Sequence, residues 1–238
     1  MKRRIVLKLS GEALAGSEKI GISHKRVNEI ADDIKELYDL GNIELSIVVG
    51  AGNIWRGRDA LDSGMERSSA DYMGMLATIL NALALQNALE RLGLDTRAMT
   101  SLQIPAVAEP YIRRKALSHL DKNRILIFGG GNGIPFFTTD TTAALRSAEL
   151  GAELILMAKN GVDGVYDDDP RLNGKAKKYE KLTHQDVLDR NLKVMDLTAA
   201  TLCKENDIDI LVFDMNVKGN MARAVKDFSI GTLISNKI

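Results

Sequence analysis

Glycine and hydroxyl residues concentrate in one stretch of this sequence, 129–140, which reads GGGNGIPFFTTD. The apolar run 125–128 precedes it and the helix-like segment 141–150 follows it, so the stretch joins a strand to a helix. Glycine reaches positive φ, and such a loop can turn its backbone N–H groups towards an anion at the positive end of the helix dipole. The stretch therefore predicts a phosphate site, although similar stretches also form tight turns that bind nothing.

Two cations stand beside other glycine-rich turns. Lys8 interrupts the apolar segment 4–9, and Arg56 follows the turn Gly50-Ala51-Gly52-Asn53. Positive charge in such a place offsets the repulsion between a polyphosphate donor and an anionic acceptor, so the pair suits phosphoryl transfer. Cations near turns are more often solvated surface residues. Lys8 is the stronger candidate, because it lies in an apolar strand.

Three carboxylates, those of Asp140, Asp163 and Asp169, are available to orient a lysine or to meet a nucleotide-bound Mg²⁺. Asp140 could equally serve only as the N-cap of the helix that follows it. The sequence leaves both interpretations open.

The sequence gives little sign of histidine or cysteine catalysis. His24, His119 and His184 lie at helix starts or in helical stretches away from the glycine turns, and we expect them at the surface. An acceptor that is already an anionic phosphate needs no general base, which agrees with their placement. The single cysteine, Cys203, cannot form an internal disulfide, which fits a reducing cytosol, and we expect it to be a small buried hydrophobe.

The composition indicates a globular protein without a global electrostatic field. The chain has 238 residues, with 32 basic and 32 acidic side chains. This balance does not favour binding to nucleic acid or to an anionic membrane. The basic N-terminus is followed by an apolar run too short for a signal peptide, so no export is expected.

One apolar stretch, 71–92, approaches the length of a membrane span. Polar residues interrupt it at intervals, which favours a helix of a soluble protein with most of its circumference buried. The breadth of its apolar surface also suggests a subunit interface.

Strand and helix patterns alternate along the whole chain. Apolar strand candidates are 4–9, 45–49, 96–99, 125–128, 153–158, 210–213 and 232–234, and a Ser23-capped helix, the stretch 109–120 and a Thr183-capped helix are among the helical segments between them. This alternation predicts an α/β fold, a three-layer αβα sandwich with a largely parallel central sheet. Ligands of such sheets bind at the carboxyl ends of the strands, where four glycine-rich or polar loops, after residues 9, 49, 128 and 158, could converge.

Two common phosphate-binding motifs are not present in the sequence. G-x-x-x-x-G-K-[ST] does not occur, which excludes a P-loop NTPase by motif. Trp55 and Ile134 stand where the third glycine of G-x-G-x-x-G would be required, so a dinucleotide-binding Rossmann fold is weakly supported.

The motifs taken together resemble those of bacterial UMP kinases (uridylate kinases) in the amino acid kinase superfamily. The segments that carry the resemblance are KLSGEAL at 8–14, GAGN at 50–53 with RG at 56–57, D at 71 with MGMLAT at 73–78, PFFTTD at 135–140, VDGVY at 162–166 with DP at 169–170, and KVMDL at 193–197. They span essentially the full length of the chain.

The resemblance implies the amino acid kinase fold as one domain over residues 1–238, with an acceptor-side lobe of about 1–150 and an ATP-side lobe of about 151–238. It implies ATP-dependent conversion of UMP to UDP in pyrimidine biosynthesis, with Mg²⁺ bound to ATP and no dedicated metal site. It also implies a cytoplasmic homohexamer that GTP and UTP regulate.

The resemblance further implies roles for individual residues. The catalytic residues would be Lys8, Arg56 and Asp140. The ATP-binding residues would be Lys8, Leu9, Ser10, Gly11, Gly52, Arg56, Asn160, Tyr166 and Asp169. The UMP-binding residues would be Ala51, Asp71, Asn132, Gly133, Ile134, Pro135, Phe136, Phe137, Thr138 and Thr139. The segment linked to GTP would be Gly16, Ser17, Glu18, Lys19, Ile20 and Gly21.

The chain departs from the family pattern at three places. Ala51 replaces a frequent glycine, Ile134 replaces the usual asparagine before the proline, and the turn Lys159-Asn160-Gly161 is one residue longer than some versions. Two other functions are compatible with the sequence. One is a superfamily kinase that acts on a carboxylate or carbamate, and the other is a nucleotide-sensing regulator without turnover.

Overall fold

A computed structural model describes residues 2–57, 62 and 64–237. Its strands are β1 (Arg3–Leu9), β2 (Ile43–Val49), β3 (Thr96–Thr100), β4 (Glu109–Pro110), β5 (Ile125–Gly129), β6 (Leu154–Lys159), β7 (Val165–Tyr166), β8 (Lys178–Tyr179), β9 (Lys181–Leu182), β10 (Asp209–Asp214) and β11 (Thr232–Ile234). Its α-helices are α1 (Glu12–Ala15), α2 (His24–Tyr38), α3 (Arg67–Arg91), α4 (Arg113–Asp121), α5 (Thr139–Leu150), α6 (His184–Asp189), α7 (Leu197–Glu205) and α8 (Asn220–Arg223). Two 3₁₀ helices are Gly16–Glu18 and Phe228–Ile230.

The main sheet has the strand order β4-β3-β5-β2-β1-β6-β10-β11-β9. Its neighbouring strands are parallel except for the antiparallel pair β10 and β11, and β7 and β8 form a separate antiparallel ribbon. The predicted α/β fold with a largely parallel sheet is confirmed. Strands β5, β2, β1 and β6 lie side by side, so the four loops expected to converge leave adjacent strands at the same edge of the sheet.

Helices cover both faces of the sheet. One apolar core lies between the sheet and α2, α3 and α8, and the other lies between the sheet and α4 to α7. Both faces of the central strands are therefore buried, which explains their nearly continuous apolar sequence.

The alternation of side chains along β1 decides where Lys8 points. Ile5, Leu7 and Leu9 belong to the core under α2 and α3, whereas Val6 belongs to the opposite core. Because successive side chains of a strand point to opposite faces, Lys8 lies on the Val6 face, which α5 covers. The lysine that interrupts the strand is thereby directed towards the start of α5.

The helix predicted over 109–120 begins later than expected. Residues Glu109 and Pro110 form the short strand β4 beside β3, and α4 starts at Arg113. Proline lacks an N–H donor and disfavours helical geometry in the residue before it, so the helix cannot include this pair. The Ser23 cap of α2 is confirmed, since its side chain accepts a hydrogen bond from the Arg26 N–H.

Helix α3 is the one described helix that is long and apolar enough to cross a membrane by length and composition. Half of its most apolar window is buried inside the protein, where it packs on α2 and on strands of the main sheet. Core helices of soluble proteins have these same properties, so the finding does not by itself indicate a membrane span.

Candidate active site

An ion pair between Lys8 and Asp140 lies where β1 and α5 meet. Nζ of Lys8 is 2.7 Å from Oδ1 of Asp140, and the two side chains are 12% and 17% exposed. Within the described part of the chain, no other group donates a hydrogen bond to that buried oxygen. Burial would raise the pKa of Asp140, but the positive charges of Lys8 and Lys159 outweigh this effect and hold the pKa below its ordinary value. The site therefore contains a carboxylate and an ammonium group that hold each other in position.

Asp140 is not the N-cap of α5, which corrects one of the two interpretations left open by the sequence. The cap is Thr138, whose Oγ1 accepts hydrogen bonds from the backbone N–H groups of Asp140, at 3.0 Å, and Thr141, at 3.3 Å. Capping by Thr138 leaves the Asp140 carboxylate in the first helical turn, where it turns to Lys8.

Lys159 adds a second lysine that the sequence analysis did not place in the site. It is the last residue of β6, next to β1, and its Nζ donates a hydrogen bond to the Val194 carbonyl at 2.7 Å. Burial and the positive charge of Lys8 lower the pKa of Lys159 to about 8, and Asp140 offsets part of that shift. The sequence contains a signal for Lys159: like Lys8, it is a lysine at or near the carboxyl end of an apolar strand.

The glycine turns after β1 and β2 touch each other. A Cβ atom on Gly11 would lie 2.6 Å from the Gly52 nitrogen and 2.7 Å from the Gly50 oxygen, distances that no side chain tolerates. Gly11 has ordinary helical φ and ψ, so its need for glycine comes from this close approach and not from its own backbone conformation.

Arg56 lies at the rim of this region. Its side chain is 55% exposed, its Nη2 lies 3.0 Å from Glu12 Oε1, and its Nε donates a weak hydrogen bond of 3.4 Å to the Gly52 carbonyl. The structure therefore brings Lys8 and Asp140 together, whereas Arg56 stays at the rim, where it pairs with Glu12 at the start of α1.

A cavity of about 200 Å³ opens between the β2 loop, α3 and the loop 130–138. Among its lining are residues proposed from the family resemblance for UMP: Ala51, Asp71, Asn132, Ile134, Phe137, Thr138 and Thr139. Gly52, which the resemblance assigns to ATP, also lines the cavity. The remaining lining residues are not among those expected from the sequence: Trp55, Gly57, Ala70, Gly74, Met75, Thr78 and Gly131. One signal in the sequence could have indicated some of these lining residues. Residues three or four positions apart share one face of a helix, and this spacing places Gly74, Met75 and Thr78 on the same face as Asp71.

Buried side chains fix the loop that follows β5. Thr78 of α3 accepts a hydrogen bond from the Gly130 N–H at 2.8 Å, and Ser101 donates one of 2.8 Å to the Gly131 carbonyl. Arg146, only 4% exposed, donates in turn to the Ser101 hydroxyl at 2.8 Å. The loop predicted from glycine composition is thus held from two sides.

Asp71 is engaged at the mouth of the cavity. Its Oδ2 accepts hydrogen bonds from Arg67 Nε at 2.9 Å and from the Phe136 N–H at 2.7 Å. Phe136 has a φ of 74°, in the left-handed region that non-glycine residues seldom occupy, and its ring lies under the Arg67 guanidinium. These contacts hold the Asp71 carboxylate in place beside the cavity. Gly133, Pro135 and Phe136 are in the same loop but outside the cavity lining.

The residues assigned to ATP after β6 lie on the other side of β1 from the cavity. Asn160 accepts a hydrogen bond from Asn216 at 2.8 Å, and Asp169 pairs with Arg171 at 2.9 Å. The Tyr166 hydroxyl donates to Asp163 at 2.6 Å, and this hydrogen bond, with burial, raises the pKa of Tyr166 to about 12. The structure thus separates two sets of loops, with Lys8, Ser10 and Gly11 between them.

Two of the three histidines are buried, so the prediction that all lie at the surface is wrong. His119 is 7% exposed and its Nε2 lies 3.2 Å from Glu109, and His184, the first residue of α6, is fully buried. Surface helices bury one face, and the sequence does not show which neighbouring element will cover a given residue. Cys203 is fully buried, as predicted, and burial raises the pKa of its thiol to about 12.

His184 predicts a loss of stability in acid. Neither ring nitrogen has a well-formed hydrogen bond among the described residues, and burial lowers the pKa of His184, an effect that the Ile208 backbone and Asp209 offset only in part. The unfolded chain binds the proton more readily than the folded protein. The contribution of His184 to the free energy of unfolding is therefore complete above about pH 6.5 and falls below that pH, by at most about 1.4 kcal/mol per pH unit.

Denaturant unfolding from pH 7.5 to 5 measures this effect. In His184→Gln the free energy of unfolding should depend less steeply on pH than in the wild type. Exposed His24 provides the control, since His24→Gln should keep the wild-type slope, and equal slopes in all three proteins would contradict the prediction.

One family model and three solved structures match this chain over most of its length. The model of the amino acid kinase family matches residues 3–214. UMP kinase from Bacillus anthracis is 44% identical, with a TM-score of 0.95 over 99% of this chain and 97% of that chain. UMP kinase from Ureaplasma parvum is 41% identical, with a TM-score of 0.92 over 99% of each chain. Uridylate kinase from Archaeoglobus fulgidus is 29% identical, with a TM-score of 0.73 over 99% of this chain and 100% of that chain.

Proposed function

The chain belongs to the amino acid kinase family, and we propose that it catalyses the ATP-dependent phosphorylation of UMP to UDP. The observation that carries this function is the buried Lys8–Asp140 ion pair at the edge where the loops of four neighbouring strands meet. The similarity to UMP kinases at 41% and 44% identity supports UMP as the acceptor.

The charges of the site suit direct in-line transfer. A phosphate oxygen of UMP attacks the γ-phosphorus of ATP, the bond to the β-phosphate oxygen breaks, and ADP leaves. Lys8, held by Asp140, is placed to stabilise charge on the transferred phosphoryl group. Arg56 reaches the same group when its guanidinium leaves Glu12 and pairs with phosphate instead. The attacking oxygen is already ionised, so the reaction requires no histidine or other general base.

We assign the two substrates to opposite sides of β1. The cavity lined by Asp71, Asn132 and Thr138 accommodates UMP, and this side corresponds to an acceptor lobe of about 1–150. The loops after β6, with Asn160, Tyr166 and Asp169, bind ATP in a lobe of about 151–238. Support for this division comes from the strand order, which separates the two sets of loops by β1.

ATP would carry Mg²⁺, which would neutralise phosphate charge. Across residues 2–57, 62 and 64–237, no group of three His, Cys, Asp or Glu side chains could hold a metal ion. We propose that phosphate oxygens and water would hold this ion, and that Asp140 is the carboxylate of the site that would meet it.

An acceptor panel tests the function. ADP release is measured with UMP, CMP, dTMP, N-acetylglutamate, aspartate and carbamate as acceptors, each with ATP and Mg²⁺. We expect the highest kcat/KM with UMP. Preference for N-acetylglutamate, aspartate or carbamate would instead identify a carboxylate or carbamate kinase, and nucleotide binding without ADP release would identify a sensing regulator.

The lowered pKa of Lys159 predicts how activity depends on pH. As the pH rises through about 8, the free enzyme loses the Lys159 charge, and kcat/KM for ATP should fall. Bound phosphates favour the protonated amine, so the fall in kcat should occur at higher pH. Both profiles are measured from pH 6.5 to 10. In Lys159→Met the alkaline fall near pH 8 should be missing, and a wild-type profile in this variant would contradict the prediction.

We further propose a homohexamer in the cytoplasm that serves pyrimidine nucleotide biosynthesis. An exposed apolar stripe on α3 supports subunit contact, because Tyr72, Met73, Leu76 and Leu80 are between 41% and 54% exposed. Sedimentation at several concentrations tests the assembly, and a monomer throughout would contradict it.

GTP and UTP are proposed as allosteric effectors, with the surface segment 16–21 linked to GTP. Initial rates of UMP phosphorylation with each nucleotide test this regulation.

A further inference from the structure

A pair of buried asparagines joins α3 to the loop after β2. Asn81 is fully buried and Asn53 is 2% exposed. Asn81 Nδ2 donates to Asn53 Oδ1 at 2.7 Å, and Asn53 Nδ2 donates to Asn81 Oδ1 at 3.0 Å. Asn81 stands among apolar helix positions, where a buried amide destabilises the fold unless its hydrogen bonds are complete. The pair therefore calls for an explanation beyond core packing.

The remaining N–H group of each amide binds a backbone carbonyl. Asn81 donates to the Gly50 carbonyl at 2.8 Å, and Asn53 donates to the Gly21 carbonyl at 2.8 Å. Every N–H and oxygen of both amides is thereby used. Reversing either amide would set carbonyl oxygens against each other, so the network determines both orientations.

Both ends of the turn 50–53 are held by this network. The turn carries Ala51 and Gly52, which line the cavity, and Gly52 is packed against Gly11 beside Lys8. A shift of the turn would therefore move the cavity wall and the Gly11 loop together.

The same network reaches the surface segment 16–21. Gly21 accepts the Asn53 amide hydrogen bond and donates its own N–H to the Asn53 carbonyl at 2.7 Å. Lys19 and Ile20 of this segment are exposed, and Lys19 has a φ of 63°. The segment is thus attached to the turn by two hydrogen bonds through one residue.

We propose that Asn53 and Asn81 are positioning residues for phosphoryl transfer, and that they couple segment 16–21 to the turn 50–53. The positioning role rests on the proposed function, since it assumes that the turn borders the nucleotides. The coupling does not, because it concerns only the geometry of the two segments. Displacement of either segment is then transmitted to the other through Asn53, whose side chain Asn81 holds in place.

Kinetics of four variants test the positioning role. Asn53→Ala and Asn81→Ala should each lower kcat/KM for UMP by about 10- to 100-fold, because misplacement of a site by about 1 Å costs on the order of 100-fold. The double variant should be little worse than either single variant, since one loss already breaks the network. Asn87→Ala, at an exposed position of the same helix, should match the wild type. Wild-type kinetics in the folded single variants, or additive losses in the double variant, would overturn the positioning role.

Limited trypsin digestion tests the coupling without catalysis. The fragment that ends at Lys19 is followed by mass spectrometry, and Asn53→Ala should release it several-fold faster than the wild type and Asn87→Ala. Saturating UMP should slow this cleavage in the wild type and leave it unchanged in Asn53→Ala. If Asn81→Ala does not fold, as judged by circular dichroism, Asn53→Ala and Asn53→Ser provide both readouts. Equal cleavage rates in all proteins without nucleotide would overturn the coupling. If the wild type does not phosphorylate UMP, the proposed function is refuted, but the cleavage rates without nucleotide still test the coupling.

Discussion

Lys8→Met should lower kcat for UMP phosphorylation by about 100- to 1000-fold, the range found when one preorganised charge or donor is removed from a transition state. Methionine keeps the length and apolar character of the side chain but removes the ammonium group. KM values should change less than kcat, because Lys8 is expected to act mainly on charge that develops during transfer. Steady-state kinetics with ATP and UMP varied in turn provide the measurement.

The same substitution also leaves a carboxylate unpaired, which must be separated from the loss of catalysis. Among the described residues, Lys159 would remain as the positive neighbour of Asp140, and breaking a buried pair destabilises a protein by about 3 kcal/mol. The double variant Lys8→Met with Asp140→Asn removes both charges and should recover most of the stability. Its activity should remain as low as that of Lys8→Met. Recovery of activity together with stability would show that Lys8 has only a structural role.

Gly11→Ala should lower kcat/KM for both substrates by about 100-fold, because its methyl group needs space that the β2 loop occupies. The added Cβ would lie 2.6 Å from the Gly52 nitrogen and 2.7 Å from the Gly50 oxygen, and these are backbone atoms that cannot turn away. The two loops must separate, and displacement of a site by about 1 Å costs on the order of 100-fold in rate. Overpacking should also reduce the free energy of unfolding by about 1 to 3 kcal/mol.

Gly174→Ala is the matched control for this substitution. Apart from Gly174 itself and its two chain neighbours, no heavy atom of the described residues lies within 4 Å of a Cβ built at Gly174, and its φ is outside the left-handed region. Both variants add one methyl group to a glycine, so any difference between them reports the contact of the two loops. Equal kcat/KM values for Gly11→Ala and Gly174→Ala would contradict the close approach.

Local patterns in the sequence were sufficient for much of the fold. The strand and helix alternation predicted the α/β class, and Ser23 and Thr183 were identified as helix caps because capping depends on a few adjacent residues. The stretch 109–120 has a helix-like pattern, but Pro110 disfavours helical geometry at Glu109, and these two residues form a short strand instead.

Burial was harder to predict than secondary structure. The residues around His184 have the composition of a surface helix, yet the His184 side chain is fully buried. Which element covers a helix face depends on contacts between segments far apart in the chain, and no local pattern encodes them. The same reason explains why the sequence does not place Lys159 in the site: its approach to Lys8 and Asp140 depends on the pairing of β6 with β1.

The sequence by itself determined the local chemistry of this protein: which turns are rich in glycine, that Lys8 interrupts an apolar strand, and which face of that strand it shares with Val6. Tertiary structure alone decided which of these parts meet. The order β5-β2-β1-β6 is not the order of the chain, and it brings Lys8 to within 2.7 Å of Asp140. Strand pairing is a non-local choice made by burial of both faces of the sheet, so the distance between these two residues follows from packing and not from their spacing in the sequence.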